Sequence, residues 1–257
     1  VILGGILGSL NLKYAYAISL LSALIAFSLC WNFKEPQRSD GSVTEPFFKQ
    51  LRTTIGTMNN GVLKWVLLFY IVGYSLQHIP YEFYQPYIAL FKQEGVDHFM
   101  ASYDAALISG VVIGLSMFGG ALGASVSRRM SQRFGAKNIL LTGIMMQSVI
   151  IAVMAIVLHP AVLLIIVFRN FSMSMTHAPM HGLIAPRVAS AQRATYLSLQ
   201  SLFGRLAFSS LLFVIASQTG QSLNWPALAW IFKVSALAGA AALLLLYFLQ
   251  PVANTTE

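Results

Sequence analysis

The sequence has 257 residues, of which 57% are hydrophobic and only 9% are charged. Soluble domains carry about 25% charged residues, so this chain lacks the side chains that would cover a water-exposed surface. Its net charge is +8, but the basic residues lie between apolar runs rather than on one face. We therefore expect no nucleic-acid partner. The single cysteine, Cys30, excludes an internal disulfide. These features predict a polytopic membrane protein.

Seven apolar runs are long enough to cross a bilayer, since a spanning helix needs about 20 apolar residues. The predicted spans are 14–31, 65–91, 105–127, 139–158, 161–185, 195–217 and 227–249. The run at 1–8 is too short to span, and we interpret it as the end of a helix that begins upstream of Val1. The spans at 14–31 and 139–158 hold no charged residue, which favours a lipid-facing position for both.

Lysine and arginine residues are concentrated in alternate loops. The segments 32–64, 128–138, 186–194 and 250–257 together carry eleven of them, whereas the loops on the opposite side carry only Lys13 and Lys92. Basic residues accumulate on the cytoplasmic side of membrane proteins. The sequence therefore predicts a multi-pass protein of the cell (inner) membrane with its C-terminus in the cytoplasm.

The segment 32–64 is the longest polar stretch. Its first part is a linker of turn-forming residues, and apolar residues then recur at helical spacing from Phe47 to Met58. Two interpretations remain open for that second part, a short amphipathic helix on the membrane surface or a disordered linker.

Three stretches give the layout a resemblance to a known family. They are 4–8 with 33–36 (GGILG and FKEP), 128–137 (RRMSQRFGAK) and 193–201 (RATYLSLQS). The chain resembles the C-terminal part of a major facilitator superfamily (MFS) transporter, a family with two six-helix halves joined by a long cytoplasmic loop.

The resemblance implies an all-α, polytopic membrane helical bundle. In that scheme 1–31 is the end of helix five and helix six, 32–64 is the central loop, and 65–257 is the distal six-helix bundle. The partner would be the missing N-terminal half of the same protein. Because family substrate sites lie between the halves, this chain would form one wall of the cavity.

The stretch 128–137 is similar to the loop signature of the family, although Gln132 stands where the family has an aspartate. Its candidate functional residues are Arg128, Arg129, Arg133, Gly135 and Lys137. Glycine permits a tight turn, and the basic residues would anchor helix ends at the headgroups. The alternative is that they are membrane anchors with no further role.

The span 65–91 contains the first group of candidate substrate-binding residues. Tyr74, His78, Glu82 and Gln85 recur at three- or four-residue steps and so share a helical face. A carboxylate one turn from a histidine could accept and release a proton during transport. The alternative places Glu82 near the outer interface, beside an aromatic belt of Tyr81, Tyr84 and Tyr87.

Two further spans contain isolated charges, which are costly inside a bilayer and mark functional sites. Arg169, Met173 and His177 lie four residues apart in 161–185, and Arg205 lies near mid-depth in 195–217. The two arginines favour an anionic or zwitterionic substrate, or carboxylate partners in the missing half. His177 and His181 have zinc-binding spacing, but no third ligand is evident, so we expect no metal site.

Glycines at 110, 114, 119, 120 and 123 give the span 105–127 small-residue spacings that permit close helix packing. This pattern favours a packing surface over a binding site.

The function predicted from these features is secondary active transport of small solutes by alternating access, driven by a proton gradient and without a cofactor. Proton-coupled export of a drug or metabolite is favoured, because Gly4 and Gly5 resemble the glycine-rich helix five of family exporters. The alternative is a proton-linked importer of a sugar, organic acid or other small solute. A different class is a non-transporting membrane receptor or partner. An enzyme is not expected, because no nucleophile or metal cluster is evident.

Overall fold

A computed structural model of the chain describes residues 2–31, 33, 46–95, 103, 105–219 and 223–251. Its regular elements are helices: α1 (Ile2–Leu10), α2 (Leu12–Trp31), α3 (Phe47–Thr57), α4 (Gly61–Gln93), α5 (Ala105–Phe134), α6 (Ala136–Ile156), α7 (Val162–Val167), α8 (Arg169–Ile184), α9 (Ser190–Thr219) and α10 (Trp225–Phe248). The predicted all-helical bundle is confirmed. The polar linker at 34–45 lies outside the described residues.

Within the described ranges, six helices are individually long and apolar enough to cross a membrane, namely α2, α4, α5, α6, α9 and α10. The region predicted as one span over 161–185 differs, because it forms α7 and α8 with a break at Phe168. There the N–H of Phe168 bonds to the carbonyl of Ile165, three residues back, at 3.0 Å. A tight 3₁₀ turn inside a helix of this kind often marks a functional position.

The centre of the bundle is formed by α4 and α8. Helix α8 packs against α5, α6 and α4, and α4 also packs against α9 and α10. The predicted lipid-facing position of 139–158 is wrong, because α6 packs against both α8 and α10 and buries eleven of its 21 residues. The physical reason is that an apolar helix suits a protein interior as well as lipid. Gly143 lets α6 approach α8, where a Cβ would collide with the Thr176 side chain.

The glycine-rich helix α5 is a packing surface, as the sequence predicts. A Cβ at Gly123 would collide with the carbonyl oxygen of Phe171 in α8, and one at Gly114 would collide with Ile2 in α1. The backbones of α5 and α8 therefore approach more closely than larger side chains would allow.

Side-chain donors bonded to backbone carbonyls of other helices reinforce this packing. Nε1 of Trp65 in α4 donates to the carbonyl of Leu246 in α10 at 2.8 Å. Oγ of Ser127 in α5 donates to the carbonyl of Met175 in α8 at 2.7 Å. Such interhelical hydrogen bonds help to fix helix positions where water is excluded.

The segment after the linker forms a helix, so the interpretation of that part as a disordered linker is wrong. Helix α3 packs on the start of α9, where Nε2 of Gln50 donates to the carbonyl of Ala191 at 2.9 Å. Thr54 is fully buried in this contact, whereas Phe48 and Ile55 are exposed.

The stretch 128–137 is helical except for one residue. Arg128, Arg129 and Arg133 lie in the last turns of α5, and Gly135 joins α5 to α6 with a φ of 84°. This positive φ requires glycine, so the predicted glycine turn is confirmed. Nζ of Lys137 donates to the carbonyl of Pro251. This hydrogen bond connects the start of α6 with the last residue that the structure describes.

Candidate functional site

Arg169 is the most deeply placed charge of the described residues. It is the first residue of α8, directly after the break, and only 6% of its surface is exposed. Its Nη1 donates to the carbonyl of Gln77, halfway along α4, at 2.9 Å. The guanidinium carbon lies 5.2 Å from the ring centroid of Tyr81, a cation–π distance. A cation is therefore held in the middle of the bundle by a carbonyl and an aromatic face.

The described residues include only two acidic side chains, Glu82 and Glu94. Neither forms an ion pair with Arg169, so the described part of the chain leaves the buried guanidinium without a carboxylate. Burying an unpaired charge is costly, which makes this position a functional candidate.

A small crevice of about 10 Å³, room for roughly one water molecule, lies beside Arg169 where α4, α5, α7 and α8 meet. Its lining includes Tyr81, Tyr84, Ser116, Ile166 and Arg169. Ser116 is 1% exposed, and its hydroxyl has no hydrogen-bond partner in the described structure. A cation and an unused hydroxyl thus border one apolar crevice.

The backbone at the break is held by a buried amide. Nε2 of Gln147 in α6 donates to the carbonyl of Arg169 and to Oγ of Ser172, both at 2.8 Å. Oγ of Ser172 donates to the same carbonyl at 2.9 Å. Both side chains donate to the backbone carbonyl next to the break. The amide of Gln147 thereby fixes the start of α8 relative to α6.

Four residues of α4, which we term the aromatic row, extend towards Arg169. They are Tyr70, Tyr74, His78 and Tyr81. Tyr74 and His78 stack with centroids 3.9 Å apart, and Tyr81 meets His78 edge-on at 6.3 Å. Gly204 lets α9 approach this row, since a Cβ there would lie 2.8 Å from the Tyr70 ring.

The hydrogen bond of His78 identifies its neutral tautomer. Nδ1 lies 2.8 Å from the carbonyl oxygen of Tyr74. A carbonyl only accepts, so Nδ1 carries the proton and Nε2 has the free lone pair. The ring of Phe208 in α9 lies 5.3 Å from the imidazole. His78 is thus held by the bundle while keeping a proton-accepting nitrogen.

Five of the predicted site residues, His78 among them, are linked by a contact or an electrostatic interaction. Tyr74 stacks on His78, and the electrostatic neighbours of His78 are Arg169, Glu82 and Arg205. Glu82 and Arg205 are exposed in the described structure.

The other three predicted residues are not part of this group. Gln85 is exposed and donates to the Tyr84 hydroxyl at 3.3 Å. Met173 is buried in the contact between α8 and α4, next to Gly73. His177 is exposed and stacks with His181 at 6.5 Å.

Tyr81, Tyr84 and Tyr87, the residues considered for an aromatic belt, all make contacts inside the bundle. Tyr84 and Tyr87 are buried, and the Tyr87 hydroxyl donates to the carbonyl of Val157 at 2.5 Å. Tyr81 instead contacts the guanidinium of Arg169. Tyr81 lies seven residues after Tyr74 and therefore on the same helical face. That spacing is the sequence pattern that could have identified Tyr81 as a site residue. Ser116 and Gln147 had no comparable signal, because their roles depend on contacts between distant segments.

Six described helices that are long and apolar enough to cross a bilayer define a multi-pass membrane protein. Residues 1–209 match the sequence profile of the Major Facilitator Superfamily, so the chain belongs to that family. The resemblance seen in the sequence is confirmed.

The fold is similar to the crystal structure of a bacterial homolog of the human lysosomal transporter Spinster, in an inward-facing and unoccupied conformation. The TM-score is 0.48 and the sequence identity 16%. The match covers 96% of this chain but only 62% of that one. A search of curated protein sequences gives no match.

Proposed function

We propose that this chain forms part of a secondary active transporter of small solutes that works by alternating access, and that it is not an enzyme. The observation that carries the proposal is Arg169, a cation buried at mid-depth beside a helix break and without an acidic partner in the described residues. An ionisable side chain inside a membrane-spanning segment is a functional-site candidate. Family membership supports the same function.

A second helical half, the N-terminal half of the same protein, completes the cavity in this proposal. Arg205 lies at the middle of α9, is exposed, and has no hydrogen-bond or ion-pair partner in the described part of the chain. A charge at that depth is stable only against protein or water. A facing half that encloses a water-filled cavity would meet this requirement.

Proton coupling is the finer part of the proposal. Glu82 lies within electrostatic range of His78, whose Nε2 can accept a proton. Protonation of the carboxylate on one side of the membrane and release on the other would drive the cycle. We favour export on the resemblance of Gly4 and Gly5 to family exporters, with import of a small solute as the alternative direction.

The test is transport by the complete protein reconstituted in vesicles with an imposed pH gradient, against a panel of radiolabelled organic acids, sugars and cationic drugs. Gradient-driven transport of at least one solute is expected. Glu82→Gln should abolish the gradient-driven component but retain solute exchange, because the amide keeps the shape and loses the titrating group. Glu94→Gln is the matched control, since Glu94 caps the end of α4.

Transport by none of the solutes would contradict the transporter proposal and favour a receptor. Normal gradient-driven transport by Glu82→Gln, with an unchanged pH profile, would remove Glu82 from the coupling mechanism while leaving transport intact.

The proposed location is the inner membrane, with the α5–α6 turn on the cytoplasmic side. Single cysteines in a Cys30→Ala background test this orientation. Arg133→Cys should react with an impermeant thiol reagent only in inverted vesicles, and Glu94→Cys only in intact cells. The reverse pattern would invert the topology.

A further inference from the structure

We infer that the groove between α6 and α10 binds one anionic phospholipid, with an acyl chain along its apolar wall and the phosphate beside Lys137 and Tyr247. The inference concerns the outer surface of the bundle and does not depend on the proposed transport mechanism. Three features of the described residues support it: the apolar lining of the groove, two hydrogen-bond donors at one end, and the charge around that end.

The groove has a volume of about 360 Å³ and is lined by residues of both helices. A water molecule occupies about 30 Å³ in the liquid, so the groove has room for a segment of an acyl chain. Leu141 is buried at the floor, whereas Met145, Leu244 and Tyr247 are exposed at the rim. The hydroxyl of Thr142, which also lines the groove, donates to a carbonyl of its own helix at 2.8 Å. The wall therefore offers mainly hydrocarbon to a ligand.

Two hydrogen-bond donors lie at the end of the groove next to the α5–α6 turn. Lys137 is one helical turn before Leu141, and its Nζ donates to the carbonyl of Pro251, just beyond the end of α10. An ammonium group has three donors, so two remain for a phosphate oxygen. The exposed hydroxyl of Tyr247 has no hydrogen-bond partner in the described part of the chain and can donate to the same phosphate.

The surroundings of Lys137 are cationic. Arg133 lies in the last turn of α5, four residues before Lys137 and across the α5–α6 turn, and its side chain is exposed. The guanidinium of Arg187, which follows the end of α8, lies within electrostatic range of Lys137. These three cations favour a ligand with a net negative charge over a zwitterionic one.

The acidic side chains of the described ranges lie far from this end. Trp65, near the start of α4, bonds to the carbonyl of Leu246, next to Tyr247. Glu82 is seventeen residues further along α4, about 25 Å at 1.5 Å per residue. Glu94 lies further still, at the end of the same helix. The described carboxylates therefore neither neutralise the cations nor repel a phosphate.

An anionic phospholipid matches both parts of the groove. Basic pockets between membrane helices bind anionic lipid headgroups, and the apolar wall continues from the basic end along the helices. A free phosphate would contact the basic end alone and leave the apolar wall uncovered. The proposed occupant is therefore a lipid rather than a soluble anion.

The experiment counts the phospholipids that remain bound to the purified protein in native mass spectrometry from detergent. Phosphatidylglycerol and phosphatidylcholine with identical acyl chains are supplied together. One phosphatidylglycerol should be retained, with an apparent affinity about tenfold higher than that of phosphatidylcholine. Glycerol phosphate, which has no acyl chain, should not displace it. Equal retention of the two lipids, or displacement by glycerol phosphate, would overturn the inference.

Substitutions at the basic end test the position of the phosphate. Lys137→Gln should weaken phosphatidylglycerol binding about fivefold, the contribution of one basic side chain to binding of an anionic lipid. Lys137→Arg keeps the charge and should bind within about twofold of the unmodified protein. Tyr247→Phe removes only a hydroxyl and should weaken binding about threefold. An unchanged affinity in Tyr247→Phe would contradict the proposed position of the phosphate.

Arg128→Gln is the matched control for Lys137→Gln. It removes one positive charge from the same end of the bundle, but Arg128 is exposed on α5 and does not line the groove. Its affinity for phosphatidylglycerol should be unchanged. Equal weakening by the two glutamine variants would show a general attraction between the basic surface and the lipid, and the assigned site would be wrong.

A second pair of variants tests the position of the acyl chain. Met145→Trp fills the groove and should weaken phosphatidylglycerol binding about tenfold or more, the effect of displacing about two methylene groups. Val149→Trp is the control, because Val149 is one turn further along α6, is exposed to a similar degree and does not line the groove. Equal affinities in the two tryptophan variants would overturn the inference. A dimer that only Met145→Trp dissociates would assign the groove to a second copy of the chain instead.

Discussion

Helices α2 and α6 are nearly matched in sequence character but lie in opposite surroundings. They have 20 and 21 residues, each carries a lysine as its second residue, and neither has another charge. Yet in the part of the chain that the structure describes, α2 buries none of its residues and packs mainly along α1, whereas α6 buries eleven and lies between α8 and α10. Apolar composition therefore identifies a membrane span but does not say whether lipid or protein surrounds it.

The two helices differ in the longer-range contacts of their polar and small residues. Ser19, Ser22 and Ser28 of α2 each donate to the carbonyl four residues back in their own helix. These hydroxyls bond within their own helix. In α6, the longer Gln147 reaches the carbonyl of Arg169 in α8, and Gly143 gives the two helices room to approach.

The largest loss of unfolding free energy is expected for Gly143→Leu. The new side chain would enter the space of Thr176, whose own hydroxyl is bonded to the Met173 carbonyl at 2.7 Å and resists displacement. Overpacking of this kind costs about 3 kcal/mol of unfolding free energy, or roughly 6–12 °C in melting temperature for a chain of this size. Thermal melting of the purified protein in detergent measures it.

Gly182→Leu is the control for that substitution, because a Cβ at Gly182 meets nothing within 4 Å. It should melt close to the unmodified protein. Equal losses at both positions would show that the α6–α8 contact is not the sensitive feature.

A smaller loss of unfolding free energy is expected for Gln147→Leu. The substitution removes the hydrogen bonds to Arg169 and Ser172 but keeps a comparable volume, so the cost should be about 1–2 kcal/mol. The same melting measurement applies, with Gln132→Leu on the exposed end of α5 as control. No difference between the two leucine variants would contradict the bridging role of Gln147.

Features set by local sequence were predictable, and features set by contacts between distant segments were not. The spans follow from apolar length, and the turn at Gly135 follows from glycine between two helical patterns. Arg169 was found because a charge in an apolar run is rare. The burial of the Ser116 hydroxyl and the hydrogen bonds of the Gln147 amide depend on how α5 and α6 pack against α8. The local sequence does not specify that packing.

The smallest change in unfolding free energy is expected for Ser22→Leu in α2. This variant tests whether α2 is surrounded by lipid. The hydroxyl of Ser22 is bonded to the Ile18 carbonyl at 2.9 Å and the residue is exposed. Leucine has a higher helix propensity than serine and suits lipid as well as the residues around it. Unfolding free energy should therefore change by no more than about 0.5 kcal/mol, as for surface substitutions in general. The measurement should include the complete protein in lipid vesicles, where a second helical half could cover α2. A loss of unfolding free energy in vesicles comparable to that of Gly143→Leu would show that α2 packs against protein in the complete molecule. The difference in surroundings between α2 and α6 would then hold only for the isolated chain.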